Sequence, residues 1–463
     1  MNEVFSREQL SSIFNQDVKY GVCDICVNSK NAKDGDLFVA LEGENTDGHN
    51  FIKDALFSGA SLAVSQRDID PADDRIISVD SSYEALLKLA KYNLSRTNAQ
   101  YIGITGSVGK TTTRDMIYHL LVNSQEQRKA FVSRKNFNGQ IGLPICAALM
   151  PPETNVGVFE MGMSESGEIK KLLDIVSPDI SVITNICETH LEYFNSMFDI
   201  AKAKSEIFET TKPQKTAIIP NDLPYTDFLK KKAHQCNVKD VFTFGAENKA
   251  DARMISYDFI DDVIRVKAEI FGQSITYDLC CNNVSSVMNS LAALLTVHVE
   301  SGCSLSVLAE SMATFPAPVG RGEVFCINSH NIAIVDDSYN ACPTSVRSAI
   351  ISLSKYKNRR KVVVLGDMRE LGPDSVRFHE NIAPTIDKFG IDKVFACGDL
   401  SKCLFDNLLE EKKGCWCANS TELAEKVLES IVDGDCILIK GSNSMKMKYI
   451  VDFIKRHYNK AAA

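Results

Sequence analysis

The sequence lacks the long apolar runs, the basic charge and the paired cysteine motifs that mark several large classes of protein. No apolar run approaches the roughly 18 residues from which a membrane-spanning helix is inferred. The opening residues, MNEVFSREQLSSIF, lack a basic segment followed by an apolar one, so we expect no signal peptide. The formal net charge of -9 argues against a nucleic-acid-binding protein, which usually carries a basic patch. We therefore expect neither a membrane span nor a nucleic-acid partner.

Cysteine is plentiful, but it is not arranged for metal binding. Among 15 cysteines, Cys23 and Cys26 form one C-x-x-C pair, and Cys415 and Cys417 form a C-x-C pair. Neither pair has a second pair at zinc-ribbon spacing, which disfavours a cysteine metal site. Reduced and mostly buried thiols in a cytoplasmic protein are the simpler interpretation.

The length of the chain and its alternation of predicted strands and helices indicate three α/β domains. At 463 residues the chain is too long for one ordinary core, and its 44% hydrophobic content supplies several. From residue 99 onward, apolar strands alternate with helical segments, which predicts a mainly parallel sheet with helices on both faces. Prolines and glycines cluster at residues 315–325, where we place a domain boundary. Strands and helices alternate again after this boundary. The predicted domains are residues 1–98, 99–317 and 318–463, with a monomer as the default.

The stretch GITGSVGKTTTRDM, residues 103–116, indicates phosphate binding. Its glycines recur every three residues, at Gly103, Gly106 and Gly109, and Lys110 and Thr111 follow. This spacing departs from the common phosphate-loop pattern, which has a glycine five positions before the last one. Backbone N–H groups at a helix start attract phosphate, lysine adds a positive charge, and threonine can ligate Mg²⁺. We predict that this loop binds a nucleotide.

Three further polar residues of the same α/β stretch are candidates for chemistry. Glu160 lies at a predicted strand end, where a Mg²⁺ ligand would sit, although a structural carboxylate is the alternative. His190 follows another strand end, and a lone histidine is more often structural. Lys204 lies beside Lys202 on a helix, where a solvated, salt-bridged face is the default. Their occurrence together with the phosphate loop favours the functional interpretation.

Taken in order, these motifs resemble the Mur ligases, the ATP-dependent amide ligases of peptidoglycan precursor synthesis. The similar segments are TGSVGKTTTRDM, NFNGQIGLP, FEMGMSESGEI, NICETHLEYFNS, AKAKSEIF, GRGE, DDSYNACP, VLGDMRELG and KGSNSMKM. They extend from about residue 28 to about residue 450, and the T-G-x-x-G-K-T spacing is the family's own form of the loop. The resemblance implies a small N-terminal α/β uridine-binding domain, a central P-loop parallel-sheet ATPase domain and a C-terminal Rossmann-like domain.

Two regions resemble the branch of the family that adds the terminal dipeptide. Residues 28–52 are similar to the uridine-binding domain shared by the ligases that add the third residue and the dipeptide. DDSYNACP and VLGDMRELG are similar to the dipeptide-adding branch, and the D-Y-A-H and D-N-P motifs of the tripeptide-forming branch do not occur. The resemblance implies that D-Ala-D-Ala is joined to UDP-MurNAc-tripeptide through an acyl phosphate. The implied products are UDP-MurNAc-pentapeptide, ADP and phosphate; whether residue three of the tripeptide is lysine or diaminopimelate stays open.

The resemblance also implies roles for particular residues, with ATP and two Mg²⁺ ions as cofactors. Nucleotide contacts are expected from Gly106, Ser107, Val108, Gly109, Lys110, Thr111, Thr112, Asn289, Arg321 and Asp337. Metal contacts are expected from Thr111, Glu160, His190 and, if it is carbamylated, Lys204. Substrate contacts are expected from Ser29, Lys30, Asn136, Asn138 and Asn340. The residues expected to be catalytic are Lys110, Glu160, His190, Lys204 and Arg321.

The sequence departs from the family pattern at five positions. Lys30, Gly139, Ser285, Cys342 and Asn443 stand where the family usually has arginine, asparagine, histidine, asparagine and arginine, respectively. A lysine does not reproduce the bidentate contacts of an arginine, so the uridine contacts can differ. The missing histidine leaves the adenine contacts open.

Other functions remain as alternatives. Another Mur-type amide ligase, such as the tripeptide-forming enzyme, a folylpolyglutamate synthase or a cyanophycin-synthetase-like enzyme, would share the phosphate loop. The N-terminal segment and DDSYNACP, taken together, speak against these alternatives. A P-loop kinase or regulatory NTPase would not need DDSYN in a second nucleotide-facing domain. A catalytically inactive homologue is disfavoured because the phosphate and metal residues are intact.

Overall fold

The computed structural model describes residues 3–124, 128–134, 136–247, 249–260, 263–281 and 283–461, and it divides the chain among three sheets. The sheets have four, nine and six strands and follow one another along the chain. They fall within the three predicted ranges, and the exact limits of the domains stay predictions. No helix in the described ranges is long and apolar enough to cross a membrane.

The N-terminal unit is a small parallel sheet covered by helices. Its order is β1-β2-β3-β4, with all neighbours parallel. Ser81 caps the start of the helix α3 by accepting a hydrogen bond from the Glu84 amide. The elements are α1 (Arg7–Phe14), β1 (Asp24–Cys26), β2 (Asp36–Val39), α2 (Ile52–Phe57), β3 (Leu62–Ser65), β4 (Ile76–Ser78) and α3 (Ser82–Ser95).

The central unit begins as the predicted parallel α/β sheet and ends in an antiparallel extension. Its elements are β5 (Gln100–Thr105), α4 (Lys110–Asn123), β6 (Ala130–Val132), α5 (Gly142–Ala148), β7 (Val156–Glu160), α6 (Glu168–Leu173), β8 (Ile180–Ile183), α7 (Met197–Ser205), β9 (Thr216–Pro220), α8 (Thr226–Gln235), β10 (Asp240–Gly245), β11 (Ala252–Ile260), β12 (Val263–Ile270), β13 (Gln273–Leu279), α9 (Ser285–Ser301) and α10 (Leu305–Met312).

The order of this sheet places the phosphate loop at a branch point. The order is β13-β12-β11-β10-β9-β8-β5-β7-β6, so β5 lies between β8 and β7. Chain connections leave β5 toward both sides of the sheet, and ligands of open α/β sheets bind at such a switch point, beyond the strand ends. The antiparallel strands β11, β12 and β13 were not predicted from the sequence.

The C-terminal unit is a six-stranded sheet of the order β14-β15-β19-β16-β17-β18. All neighbours are parallel except β14, which is an antiparallel edge strand. The elements are β14 (Glu323–Ile327), β15 (Ile332–Asp337), α11 (Pro343–Leu353), β16 (Lys361–Gly366), α12 (Ser375–Glu380), α13 (Ala383–Lys388), β17 (Lys393–Cys397), α14 (Asp399–Asp406), β18 (Lys413–Cys417), α15 (Ser420–Ser430), β19 (Cys436–Lys440) and α16 (Lys448–Ala461).

Candidate active site

A cavity of about 360 Å³ lies between the central and C-terminal units. Its wall is formed by the phosphate loop, the ends of β7 and β15, the start of α9 and the loop that precedes β14. Most of the predicted site residues line it: Ser107, Val108, Gly109, Lys110, Thr111, Thr112, Asn138, Glu160, His190, Asn289, Arg321, Asp337 and Asn340. The fold therefore brings together residues that are more than 200 positions apart in the sequence.

Two glycines of the phosphate loop are required by its geometry. Gly106 has a φ of +149°, and a Cβ there would lie 2.0 Å from Thr184 Oγ1. Gly109 has a φ of +85°, and a Cβ there would lie 2.3 Å from Asn289 Oδ1. The loop thus needs residues without a side chain at both positions. The positions of Gly106 and Gly109, which differ from the common phosphate-loop pattern, are therefore explained by the contacts of this loop.

The phosphate loop is fastened to the segment that follows β8. The Ser107 hydroxyl donates to the Cys187 carbonyl at 3.0 Å and accepts from the Cys187 amide at 3.1 Å. The Thr184 hydroxyl donates to the Val108 carbonyl at 2.6 Å. These bonds fix the loop before any ligand is bound. The first turn of α4 carries no side-chain cap, which leaves its N–H groups to an anion.

Lys110 lies across the mouth of the loop. Its Nζ donates to the Gly106 carbonyl at 2.6 Å and to the Ser107 carbonyl at 3.3 Å. Loss of hydration lowers the pKa of Lys110, while the nearby Glu160 carboxylate acts in the opposite direction and the Arg321 charge lowers the pKa further. A phosphate group would supply the negative partner that two neutral carbonyls do not.

Glu160 is the buried centre of a hydrogen-bond network at the end of β7. Its Oε2 accepts from the Thr111 hydroxyl at 2.8 Å and lies 3.3 Å from Arg114 Nη1. Its Oε1 accepts from Asn138 Nδ2 at 2.7 Å. A hydroxyl that donates to a carboxylate keeps oxygen lone pairs for a cation. The network therefore unites two of the predicted metal ligands with one predicted substrate contact.

His190 joins the cavity to the C-terminal unit. It has a left-handed backbone, with a φ of 59°, and its Nδ1 lies 2.5 Å from Glu370 Oε2. This close contact with the His190 imidazole lowers the pKa of the Glu370 carboxyl, against the opposing effect of burial. The Glu192 amide also donates to the Glu370 carbonyl at 3.3 Å. Glu370 has no role in the sequence prediction, although this residue lies in VLGDMRELG, one of the segments that resemble the Mur ligases.

The two lysines of α7 have opposite environments. Lys202 is exposed and forms an ion pair with Asp199, which is the solvated face expected by default. Lys204 is 1% exposed, so that default is wrong for this residue. Burial lowers the pKa of Lys204 far below its usual value, and the Lys110 charge adds to the effect. Its amine has no hydrogen-bond or ion-pair partner within the described ranges.

The C-terminal side of the cavity carries two more cations. The Arg321 guanidinium lies 4.0 Å from the centre of the Tyr339 ring. Lys440 Nζ donates to Asp337 Oδ2 at 2.7 Å and to the Asn340 carbonyl at 2.8 Å. Burial raises the pKa of Asp337, and the Lys440 charge opposes that shift. Lys440 has no role in the sequence prediction, although it ends a strand in the way that other site residues do.

Several predicted residues lie outside this wall. Gly106, although part of the phosphate loop, and Lys204, which is buried, are not among the lining residues. Asn136 is an exposed turn residue whose carbonyl accepts a hydrogen bond from the Asn138 amide. Ser29 and Lys30 lie in a turn of the N-terminal unit, where Asn28 accepts a hydrogen bond from the Lys30 amide. The structure does not bring these two to the cavity. Of the five departures from the family pattern, Gly139, Ser285 and Cys342 line the cavity.

One group of three potential metal ligands occurs elsewhere in the described ranges. Glu42, Asp47 and His49 lie close together in the N-terminal unit. Arg67 already forms ion pairs with both carboxylates, and His49 Nδ1 contacts Asp47 at 2.6 Å. Because these side chains already form ion pairs and contacts with one another and with Arg67, we interpret the group as a structural cluster.

Three Mur ligase family profiles match the chain in order. They are described as the Mur ligase family catalytic domain over residues 24–93, the Mur ligase middle domain over 104–297 and the Mur ligase glutamate ligase domain over 320–443. Two similar proteins are named UDP-N-acetylmuramoyl-tripeptide–D-alanyl-D-alanine ligase. The protein from Rickettsia prowazekii is 35% identical over 93% of this chain and 94% of its own length. The protein from Bacillus subtilis is 33% identical over 95% of this chain and 93% of its own.

Solved structures agree with this assignment. A MurF structure from Acinetobacter baumannii superposes with a TM-score of 0.85 at 26% identity, covering 97% of this chain and 98% of that one. The MurF ligase from Thermotoga maritima in complex with ADP superposes with a TM-score of 0.81 at 27% identity, covering 95% and 98%. The fold, the order of the motifs and the similarity over nearly the whole length lead to one assignment. The chain belongs to the Mur ligase family.

Proposed function

We propose that this chain is an ATP-dependent ligase that joins D-Ala-D-Ala to UDP-MurNAc-tripeptide. The observation that carries the proposal is the cavity where the phosphate loop and Glu160 face Arg321 and Asp337 of the other unit. The names of the full-length relatives support the choice of substrates. The products are UDP-MurNAc-pentapeptide, ADP and phosphate.

The phosphate loop holds the ATP phosphates in this proposal. Lys110 exchanges its two carbonyl partners for β- and γ-phosphate oxygens, and the uncapped first turn of α4 supplies N–H donors. Asn289, which packs against Gly109, and Asp337 contact the rest of the nucleotide. Arg321 reaches the γ-phosphate from the opposite wall.

The donor groups at the end of β7 fit Mg²⁺. The Thr111 hydroxyl and the Glu160 carboxylate are hard oxygen donors 2.8 Å apart, and Mg²⁺ prefers oxygen. We assign these two residues to one metal site, and His190 with Lys204 to a second. Bound Mg²⁺ neutralises phosphate charge and holds the phosphate oxygens in place.

We further propose that Lys204 carries a carbamate. A buried amine with a depressed pKa is held in its neutral form, which is the form that attacks carbon dioxide. The neutral amine adds to carbon dioxide and loses a proton, so the product is a carboxylate-like anion. This anion would attract the nearby Lys110 charge and would provide an oxygen ligand.

The proposed reaction has two steps. The terminal carboxylate of the tripeptide attacks the γ-phosphorus of ATP, which gives an acyl phosphate and ADP. The free amine of D-Ala-D-Ala then attacks the activated carbonyl, the amide bond forms and phosphate leaves. Lys110 and Arg321 neutralise the charge of two anions that must meet, and closure of the units around bound ligands would keep water from the acyl phosphate.

The substrate contacts are assigned to three parts of the chain. Ser29 and Lys30 of the N-terminal unit face the uridine end, Asn136 and Asn138 face the muramyl peptide, and Asn340 faces the dipeptide. Asn138 is already oriented by Glu160, which couples the peptide side to the metal side. We place the enzyme in the cytoplasm and expect it to act as a monomer.

An omission assay tests the proposal. Purified protein receives ATP, Mg²⁺, UDP-MurNAc-tripeptide and D-Ala-D-Ala, and phosphate release is measured as each component is left out. We expect release to need all four, with a pentapeptide product in the mass spectrum. Release that ignores the dipeptide would instead indicate an NTPase or kinase. Release that needs a single amino acid in place of the dipeptide would indicate another Mur-type ligase.

A further inference from the structure

Two cysteines meet where the central and C-terminal units touch. The Sγ atoms of Cys187 and Cys342 are 3.9 Å apart, and both residues are buried, at 4% and 3% exposure. Cys187 belongs to the segment that fastens the phosphate loop through Ser107. Cys342 caps the start of α11 in the C-terminal unit. The pair therefore spans the contact between the two halves of the cavity.

Neighbouring contacts hold the two sulfurs together. The Thr344 hydroxyl donates to Glu188 Oε2 at 2.6 Å, one residue beyond Cys187 on one side and two beyond Cys342 on the other. Arg347 lies 3.9 Å from the same carboxylate. The Cys342 amide donates to Ser345 Oγ at 2.9 Å, which fixes the backbone of that cysteine. Both thiols are free in the structure.

The two thiols differ in access to the cavity, which Cys342 lines and Cys187 does not. A hydrogen bond from the Cys187 thiol also lowers the pKa of Cys342, whereas the pKa of Cys187 is raised. The thiolate is the reactive form of cysteine. A small oxidant that enters the cavity can reach Cys342.

We propose that Cys187 and Cys342 form a reversible redox site, whose disulfide ties the phosphate-loop side of the cavity to the C-terminal unit and stops turnover. With hydrogen peroxide, the Cys342 sulfur attacks one peroxide oxygen, the O–O bond breaks, and a sulfenic acid and water form. The Cys187 sulfur then attacks the sulfenic sulfur, the S–S bond forms and a second water leaves. Two thiols lose two electrons and two protons, and the peroxide is reduced to two waters.

The geometry makes the bond accessible and its effect large. The sulfurs are 3.9 Å apart and must approach to about 2.05 Å to form the bond. Ligands enclosed between two units are exchanged when the units separate. A covalent tie at this contact blocks that separation. Turnover as a readout rests on the proposed ligase activity, but formation of the bond does not.

The bond itself is tested by peptide mapping. Full-length protein is treated with hydrogen peroxide, free thiols are alkylated, and the protein is digested without reductant for mass spectrometry. We expect a cross-linked peptide pair that contains Cys187 and Cys342 and disappears on treatment with dithiothreitol. Oxidation of Cys342 to sulfinic acid without this pair would overturn the proposal. Because mapping needs no substrate, its result stands even if the ligase reaction is not observed.

The effect on turnover is tested with matched variants. The control variant is Cys303→Ala, which removes a buried cysteine elsewhere. In wild type and in this control, activity should fall as the cross-linked fraction rises, to about a tenth when cross-linking is nearly complete. Dithiothreitol should restore the activity of both. Cys187→Ala should form no such pair and should keep its own starting activity at the same peroxide dose. Equal reversible inactivation of Cys187→Ala, or full activity of cross-linked wild type, would overturn the proposal.

Discussion

At the scale of single residues, burial separates groups that the sequence makes look alike. Lys202 and Lys204 are two positions apart on α7, yet the first is exposed against Asp199 and the second is 1% exposed. Helical geometry turns residues two positions apart to different faces, so one lysine meets solvent and the other meets the core. The burial of a lysine costs free energy unless its charge is removed or paired. That cost is the physical reason to look for chemistry at Lys204.

The first prediction concerns this lysine. Lys204→Ala should lower phosphate release roughly 100-fold, because it removes the carbamate assigned to the metal site. Short-chain carboxylic acids should restore part of the rate, since they supply a carboxylate to the space left by the side chain. The matched control is Lys202→Ala on the same helix, which should keep near wild-type activity. Full activity of Lys204→Ala would refute the carbamate.

A second prediction at the residue scale concerns Glu160. Glu160→Gln keeps the size of the side chain and can still bond to Thr111, but it removes the negative charge assigned to Mg²⁺. We expect phosphate release to fall roughly 100-fold, equivalent to about 2.7 kcal/mol of transition-state stabilisation. The rate should be measured over a Mg²⁺ titration beside the thermal midpoint. An unchanged rate and Mg²⁺ dependence would show that Glu160 is only structural.

At the scale of elements, the phosphate loop is limited by its packing against the segment after β8. Gly106→Ala places a Cβ 2.0 Å from Thr184 Oγ1 at a φ of +149°, so the loop must move. We expect a loss of on the order of 3 kcal/mol in stability, together with loss of nucleotide binding. Gly302→Ala is the control, because Gly302 also has a positive φ, of +71°, but has no atom within 4 Å of an added Cβ.

The two glycine variants are compared by thermal midpoint and by binding of a fluorescent ATP analogue. Gly302→Ala should lose about 1 kcal/mol from the left-handed backbone alone and should bind the analogue normally. Equal destabilisation of both variants would mean that the steric contact with Thr184 adds nothing.

The elements also show what the sequence could predict and what it could not. Strands such as β5, β7 and β15 are continuous apolar runs that end in polar residues, and that pattern locates both the strand and its site residue. In β12, buried apolar residues alternate with partly or fully exposed ones, which is a strand pattern that the sequence analysis did not use. β11 has a single buried residue, Ala252, and so gives a weaker signal. The contacts of Glu370 and Cys187 depend on how two units meet. The local sequence around a residue does not show which residue of another unit it will contact.

At the scale of the whole molecule, the candidate site exists because two units share one cavity. Lys110 and Glu160 come from the central unit, whereas Arg321 and Asp337 belong to the C-terminal side. Three contacts that join the units surround the cavity: Cys187 with Cys342, Glu188 with Thr344, and His190 with Glu370. A nucleotide in this cavity would touch both walls, so its binding energy should couple the stability of the two units.

The last prediction tests that coupling. ATP with Mg²⁺ at about 100 times its Kd should stabilise the protein by about 2.7 kcal/mol and should raise the thermal midpoints of both units together. Lys110→Ala, which removes a nucleotide contact of the central unit, should abolish the ligand-induced rise in thermal midpoint. Asp337→Asn, which alters a contact of the C-terminal unit, should reduce that rise. The rise with ligand is compared within each variant, because Asp337→Asn also leaves the buried Lys440 without its anion. Asp433→Asn, an exposed change in the same unit, should keep the full rise. A full rise in Asp337→Asn would mean that the nucleotide binds to the central unit alone, and the shared cavity would then serve the peptide substrates instead.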